Sequence, residues 1–322
     1  MKVIGVLTAF LTTLEQMIRI LLFLAIGFAL NRLHILPKGA GAGCSKLVTV
    51  LFIPALQIYT NMTQFRMANL VNYGQLILLG GLFWAIAPLL SFYVAKKLGN
   101  GNHLERGIYL YGLSFSNTGG VGTPLILALF GSAGLFEYNL AGFFIVIMTY
   151  AWGMGLFMDK EQKRSLKSVF THIFNPIFIA ILIGLALGAL GAQSWMPVIV
   201  VDLLGDLSSC YVPVSLILSG YTIADYPLRE LFTRPKDYVY VLMRLVVIPL
   251  CAVAIAWFAG LSAYTATLIL LLLACPSGMN VVIFPAARGQ DCRTGASIVL
   301  LSHLASILTI PILYALVQHF FG

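Results

Sequence analysis

The sequence predicts an all-α polytopic membrane protein of about ten transmembrane helices, arranged as two inverted five-helix repeats. Three observations carry this prediction: a composition too poor in charge for a water-facing surface, ten apolar runs of spanning length, and prolines that recur at a nearly constant separation. Of the 322 residues, 60% are hydrophobic and 9% charged. A soluble domain carries about 25% charged residues, so much of this apolar surface must face lipid. The formal net charge is +8. The basic residues sit in short loops between apolar runs, where they act as topology signals and form no nucleic-acid patch. The lipid bilayer is therefore the expected partner, and nucleic acid is not. The cysteines Cys44, Cys210, Cys251, Cys275 and Cys292 are odd in number and include no CxxC pair. Free thiols are expected, with no disulfide framework, metal site or cofactor.

A span needs about 20 mainly apolar residues. The runs lie at 9–31, 44–62, 72–95, 106–130, 136–158, 173–191, 197–222, 237–259, 263–287 and 294–318. The first follows Lys2 with no small-residue cleavage site after it, so it reads as a span and not as a signal peptide. The loops are short, the longest polar break being 159–172. Alternating the loops puts Arg32, Lys38, Lys46, Lys96, Lys97, Arg106, Lys160, Lys163, Arg164, Lys167, Arg229, Arg234, Lys236, Arg288 and Arg293 on one side. Only Lys2 and Arg66 fall on the other, and Arg19 and Arg244 lie within spans. The positive-inside rule then makes the first side cytoplasmic, so a plasma (cell inner) membrane protein has both termini outside.

Pro37 and Pro197 are separated by 160 residues, Pro54 and Pro213 by 159, and Pro88 and Pro249 and likewise Pro124 and Pro285 by 161. Proline disrupts helices and is a poor random filler. Halves of 1–160 and 161–322, each with an odd number of spans, must run in opposite orientations.

The fourth span is interrupted by Ser116-Asn117-Thr118-Gly119-Gly120-Val121-Gly122-Thr123-Pro124, and the ninth by Cys275-Pro276-Ser277-Gly278-Met279-Asn280 and then Pro285. Paired Gly/Pro interruptions at corresponding places are the best sequence pointer to a transporter's binding site. Broken helices free backbone groups that only protein or a water-filled cavity can satisfy, and half-helix N-termini suit a carboxylate. The bland alternative is a packing kink, which is how Pro88 and Pro249 read.

The run 114–131 (SFSNTGGVGTPLILALFG) resembles the fourth-span motif of the auxin efflux carrier family. So do 33–37 followed by Lys46-Leu47 and Phe52-Ile53-Pro54-Ala55-Leu56. The late pattern Ala274-Cys275-Pro276, 296–302 and Thr309-Ile310-Pro311 is similar too. The resemblance covers nearly the whole chain in order. The long hydrophilic loop of the plant carriers is missing, so the chain looks closer to short bacterial members associated with malonate or malate. The resemblance implies crossing broken helices, spans four and nine, in the bile-acid-symporter and sodium–proton-antiporter shape. It implies a scaffold of spans 1, 2, 6 and 7, a transport unit of spans 3–5 and 8–10, and a homodimer as one expected partner. Asn117 matches the family's crossover Asn. Asn280 is its expected counterpart, although strict register aligns Asn117 with Gly278.

The expected function is secondary transport of a small organic anion, a mono- or dicarboxylate such as malonate, malate or an auxin-like acid, by alternating access. Substrate contacts are expected from Asn117, Thr118, Gly120, Pro124, Ser277, Asn280 and Pro285, with Gln57 from the second span. Arg244, several residues into the eighth span, reads either as a cation for the substrate carboxylate or as a snorkelling side chain. Coupling candidates are Asp206, which also reads as a partner for Arg19, His303, which also reads as a neutral interhelical His, and Arg288 after the second break. Glu15 and Arg19, four apart, read as a structural pair. A sodium-coupled symporter is the near rival, though neither break holds an Asp or Glu. A membrane enzyme or receptor is the distant one, with no HExxH, no phosphate loop and no catalytic cluster to support it.

Overall fold

The computed structural model describes residues 2–37, 39–158, 174–225, 232–286 and 288–321. Lys38, Lys160, Lys163, Arg164, Lys167, Arg229 and the whole polar break 159–172 from the topology count lie outside the described residues. Among the described residues the chain is helical and has no strand. The helices are α1 (Lys2–Arg32), α2 (Ala40–Gln64), α3 (Met67–Gly99), α4 (His103–Ser114), α5 (Thr118–Ala141), α6 (Phe143–Phe157), α7 (Pro176–Ala189), α8 (Val198–Ile223), α9 (Pro235–Phe258), α10 (Ala263–Ala274), α11 (Asn280–Ala286) and α12 (Arg293–Phe321). By length and composition α1, α2, α3, α5, α8, α9 and α12 can each cross a membrane, and α6, α7 and α10 are shorter apolar helices. The architecture is that of a polytopic membrane protein.

Helix ends follow local chemistry. Asn102 caps α4 by accepting from Glu105 N–H at 3.1 Å. Asn175 caps α7 through Ile177 and Phe178 N–H, both at 3.0 Å, and Ser262 caps α10 through Thr265 N–H at 3.1 Å. Each side chain satisfies a donor that the first helical turn leaves unpaired. α5 is two helical segments that meet at a kink at Gly131, where the boundary between spans four and five is expected. There φ is 64° and ψ −163°, a conformation essentially confined to glycine. Among the described residues three helices carry a π turn, at Val48–Phe52, Thr118–Gly122 and Met243–Val247. Each ends two residues before a proline, at Pro54, Pro124 and Pro249. Proline lacks an N–H and crowds the carbonyl four residues back, and the widened turn relieves both faults.

Two close helix pairs organise one side of the bundle. Residues 211–223 of α8 run along α1, and residues 53–64 of α2 run along α7. In the first pair a Cβ on Gly27 would collide with the Ile217 carbonyl, and one on Gly220 with the Leu24 carbonyl. In the second pair a Cβ on Gly188 would come within 2.8 Å of the Asn61 carbonyl. Small residues at such crossings let backbones touch, the main source of helix attraction where lipid is as apolar as the side chains. The buried core draws side chains from these helices too and is densest in α4, α10 and α12. Every residue from Ala266 to Ala274 is buried, so α10, apolar all round, is sheathed by protein and not by lipid.

Candidate functional site

At the first break α4 ends at Ser114 and α5 begins at Thr118. At the second, α10 ends at Ala274 and α11 begins at Asn280. The two segments meet in antiparallel fashion. Ser116 and Ser277 form a backbone bridge, and Asn117 N–H donates to the Pro276 carbonyl at 2.8 Å.

The carbonyls stranded at the ends of α4 and α10 need partners, because none is free in an apolar bundle. Protein groups supply them. Trp84 Nε1–H donates to Ser114 O at 2.8 Å, and Ser116 Oγ donates to Leu272 O. Arg244 serves both ends at once. Its Nη1–H donates to Leu113 O at 2.9 Å, while Nε–H and Nη2–H reach Cys275 O at 3.2 and 3.1 Å.

Arg244 belongs to a polar stripe on α9 that the sequence reading missed. Asp237, Tyr240 and Arg244 follow the i, i+3, i+7 spacing of one helix face, and all three are 0% exposed. Asp237 accepts from Tyr109 OH at 2.6 Å and from Ser297 Oγ. Tyr240 OH is hydrogen-bonded to Ser277 Oγ. The stripe thus ties α9 to α4, to the second break and to α12. The spacing was present in the eighth span and was the available signal. Beside it, at the basic end, Arg234 binds Glu105 and Thr294.

Asn117 caps the start of α5, its Oδ1 accepting from Gly120 N–H at 2.9 Å. Its Nδ2 lies 3.3 Å from His303 Nε2. His303 Nδ1 is 2.7 Å from the Val299 carbonyl, which can only accept. Nδ1 therefore carries the proton in the neutral ring, and Nε2 accepts from Asn117. On the second break Asn280 Nδ2–H donates to Tyr111 OH at 2.9 Å.

Both asparagines border a cavity of about 530 Å³, within the range of small-molecule sites. Ser116, Asn117, Thr118, Gly119, Gly278 and Met279 form its broken-helix wall, together with Asn280. Opposite lie hydroxyl-bearing faces of α2 (Ser45, Thr49) and α8 (Ser215, Ser219, Thr222). The cavity extends to helix ends at Gly41, Asn175 and Thr222. Among the described residues no Lys, Arg, Asp or Glu lines it.

The family model for membrane transport proteins matches residues 12–314, taking in both breaks and the cavity between them. The chain belongs to this family, the auxin efflux carrier and membrane transport family. It is therefore a multi-pass membrane transporter. No curated protein matches it significantly.

In this transporter Asn117, Thr118 and Asn280 reach the cavity, and the others expected with them do not. Gly120 instead holds the Asn117 side chain. Pro124 lines a separate cleft of about 320 Å³ with Arg19 and Leu216. Pro285 is buried within α11, and Ser277 is buried behind its break, its N–H donating to Ser302 Oγ at 3.1 Å. Arg244 neither lines the cavity nor snorkels, because the stranded carbonyls occupy its N–H groups. Gln57 accepts from Asn139 Nδ2–H at 3.2 Å and borders a smaller cavity of about 150 Å³ on the far side of Thr118 and Gly119.

Of the coupling candidates, only His303 touches a cavity residue. Asp206 is exposed, and Arg19 pairs with Glu15 at 2.7 Å. The i,i+4 spacing supplies that partner on the same helix, with no second helix needed. Arg288 is exposed and donates to Phe284 O at 3.1 Å, away from the cavity. Removing the His303 acceptor leaves Asn117 Nδ2 without that partner, the side chain then being held by Gly120 N–H alone of the two. His303→Leu is therefore expected to raise the KM for transport about three- to tenfold, the worth of one hydrogen bond, as read from initial uptake rates.

Proposed function

We propose that this transporter carries a small organic anion, a mono- or dicarboxylate of the malonate or malate kind, by alternating access. The observation that carries the proposal is the cavity at the meeting breaks, with Asn117 and Asn280 both facing it. Amide N–H groups suit a carboxylate, and the hydroxyl wall opposite offers further donors. The α5 N-terminus adds partial positive charge. α11 has only seven residues and adds little.

The motion we propose sets a transport unit of α3–α6 and α9–α12 against a scaffold of α1, α2, α7 and α8, with the cavity on the boundary. Inverted halves of 1–160 and 161–322 are supported by the bridge itself. Ser116 and Ser277 are 161 residues apart, the separation that also relates Pro124 to Pro285, and an antiparallel bridge has two-fold symmetry. With the basic end cytoplasmic in the plasma (cell inner) membrane, the termini lie outside and the cavity faces inward. Proton coupling would run through His303, whose second proton would turn Nε2 from acceptor to donor against the Asn117 amide.

The test is uptake by purified protein in liposomes across a panel of small mono- and dicarboxylates, with and without pH and sodium gradients. Saturable uptake of one acid is expected. Failure to bind or move any acid under any gradient would sink the anion proposal.

A further inference from the structure

Among the described residues no charged side chain lines the cavity, yet a full positive charge lies one peptide behind its wall. Arg244 binds the Cys275 carbonyl, and the next carbonyl, of Pro276, accepts from Asn117 N–H. The guanidinium is 0% exposed. Among the described residues the ion pairs are Arg19–Glu15, Arg234–Glu105, Arg234–Asp237 and Arg293–Asp291, and no carboxylate pairs with Arg244. The nearest acid on its own helix, Asp237, is held by Tyr109, Ser297 and Arg234.

A buried cation without a counter-ion is costly in a membrane protein and is retained where it serves function. What faces Arg244 is the pair of helix C-termini, α4 through Leu113 O and α10 through Cys275 O. Each such end carries about half a negative charge, so together they balance one guanidinium. Without Arg244 the meeting point would be negative, and a bound anion would need a cation beside it. With Arg244 those ends are neutralised and the α5 N-terminus is left as the dominant charge at the site.

We propose that Arg244 is the positioning cation of the site: by capping both broken-helix C-termini from behind, it lets the cavity bind a carboxylate with no co-bound metal cation. The proposal rests on the anion function above and adds where the charge resides. Arg244 touches no substrate and acts through the backbone of the second break.

The experiment compares the purified protein with Arg244→Lys and Arg244→Gln. Equilibrium binding of malonate and malate is measured by calorimetry in sodium-free N-methylglucamine buffer and again with sodium. Lys and Gln both keep N–H donors for the carbonyls, and only Lys keeps the charge. The parent is expected to bind equally in both buffers. Arg244→Lys should stay within about threefold of it, and Arg244→Gln should lose at least about tenfold. Equal affinity in the Lys and Gln variants would reduce Arg244 to a structural cap and overturn the inference. So would parent binding that appears only with sodium, a measurement that stands even where the Gln variant does not fold. Parent protein that binds neither acid in either buffer, nor any acid of the uptake panel, brings down the anion function itself, an outcome distinct from the other two.

Discussion

Asn117→Ala is expected to abolish saturable uptake, by more than about tenfold in kcat/KM, while the protein stays folded and monodisperse. The substitution spares the backbone bond from Asn117 N–H to Pro276 O, which holds the breaks together. It removes the Oδ1 cap on Gly120 and the Nδ2 contact with His303, and it takes the amide from the cavity wall. Losing the cap costs about 1 kcal/mol of local stability, too little to unfold the bundle. Losing the amide removes the proposed substrate donor and takes the hydrogen-bond partner from His303 Nε2. Asn117→Asp sharpens the test: it keeps the cap and the shape but sets a carboxylate against an anion, so it should be at least as inactive as Ala. Uptake that survives in both variants would leave the carrier function standing and remove the site from this break.

Gly27→Val should have the largest effect on folding. In α1 a Cβ at this position overlaps the Ile217 carbonyl of α8, and Gly220 makes the reciprocal approach to the Leu24 carbonyl. Backbone cannot step aside as the end of a flexible side chain can, so the helices must separate along their contact. Overpacking of this kind costs about 1–3 kcal/mol, and more where backbone is struck. The measurement is the thermal melt and size-exclusion profile in detergent, where a strong loss of monodisperse protein is expected. Gly43→Val is the control, because nothing lies within 4 Å of its added Cβ. Equal stability of the Gly27 and Gly43 variants would show that the α1–α8 contact carries little of the fold.

The same contrast between local and distant causes divides what was legible in the sequence from what was not. Apolar runs, breaks and the Glu15–Arg19 pair follow from residues close in sequence, and each was readable. The breaks at Asn117 and Asn280 were legible because a Gly- and Pro-rich interruption of an apolar run can scarcely pack otherwise. Pro124, Pro285 and Ser277 share the motif, yet only the path of the backbone decides that they sit behind or beyond the cavity wall. Arg244 read as a substrate cation or a snorkelling side chain, because no local pattern says that two helix ends will be brought to it.

By itself the sequence determined the membrane class, the family and the two broken segments, since hydropathy, proline and glycine act through the local cost of exposing or bending a backbone. Only the tertiary structure decided that the breaks bridge at Ser116 and Ser277, that α10 is sheathed by protein, and that Asp237, Tyr240 and Arg244 brace the site from behind. The physical reason is that stranded carbonyls and buried charges must find partners, and those partners lie far away in the chain, where only packing brings them into reach.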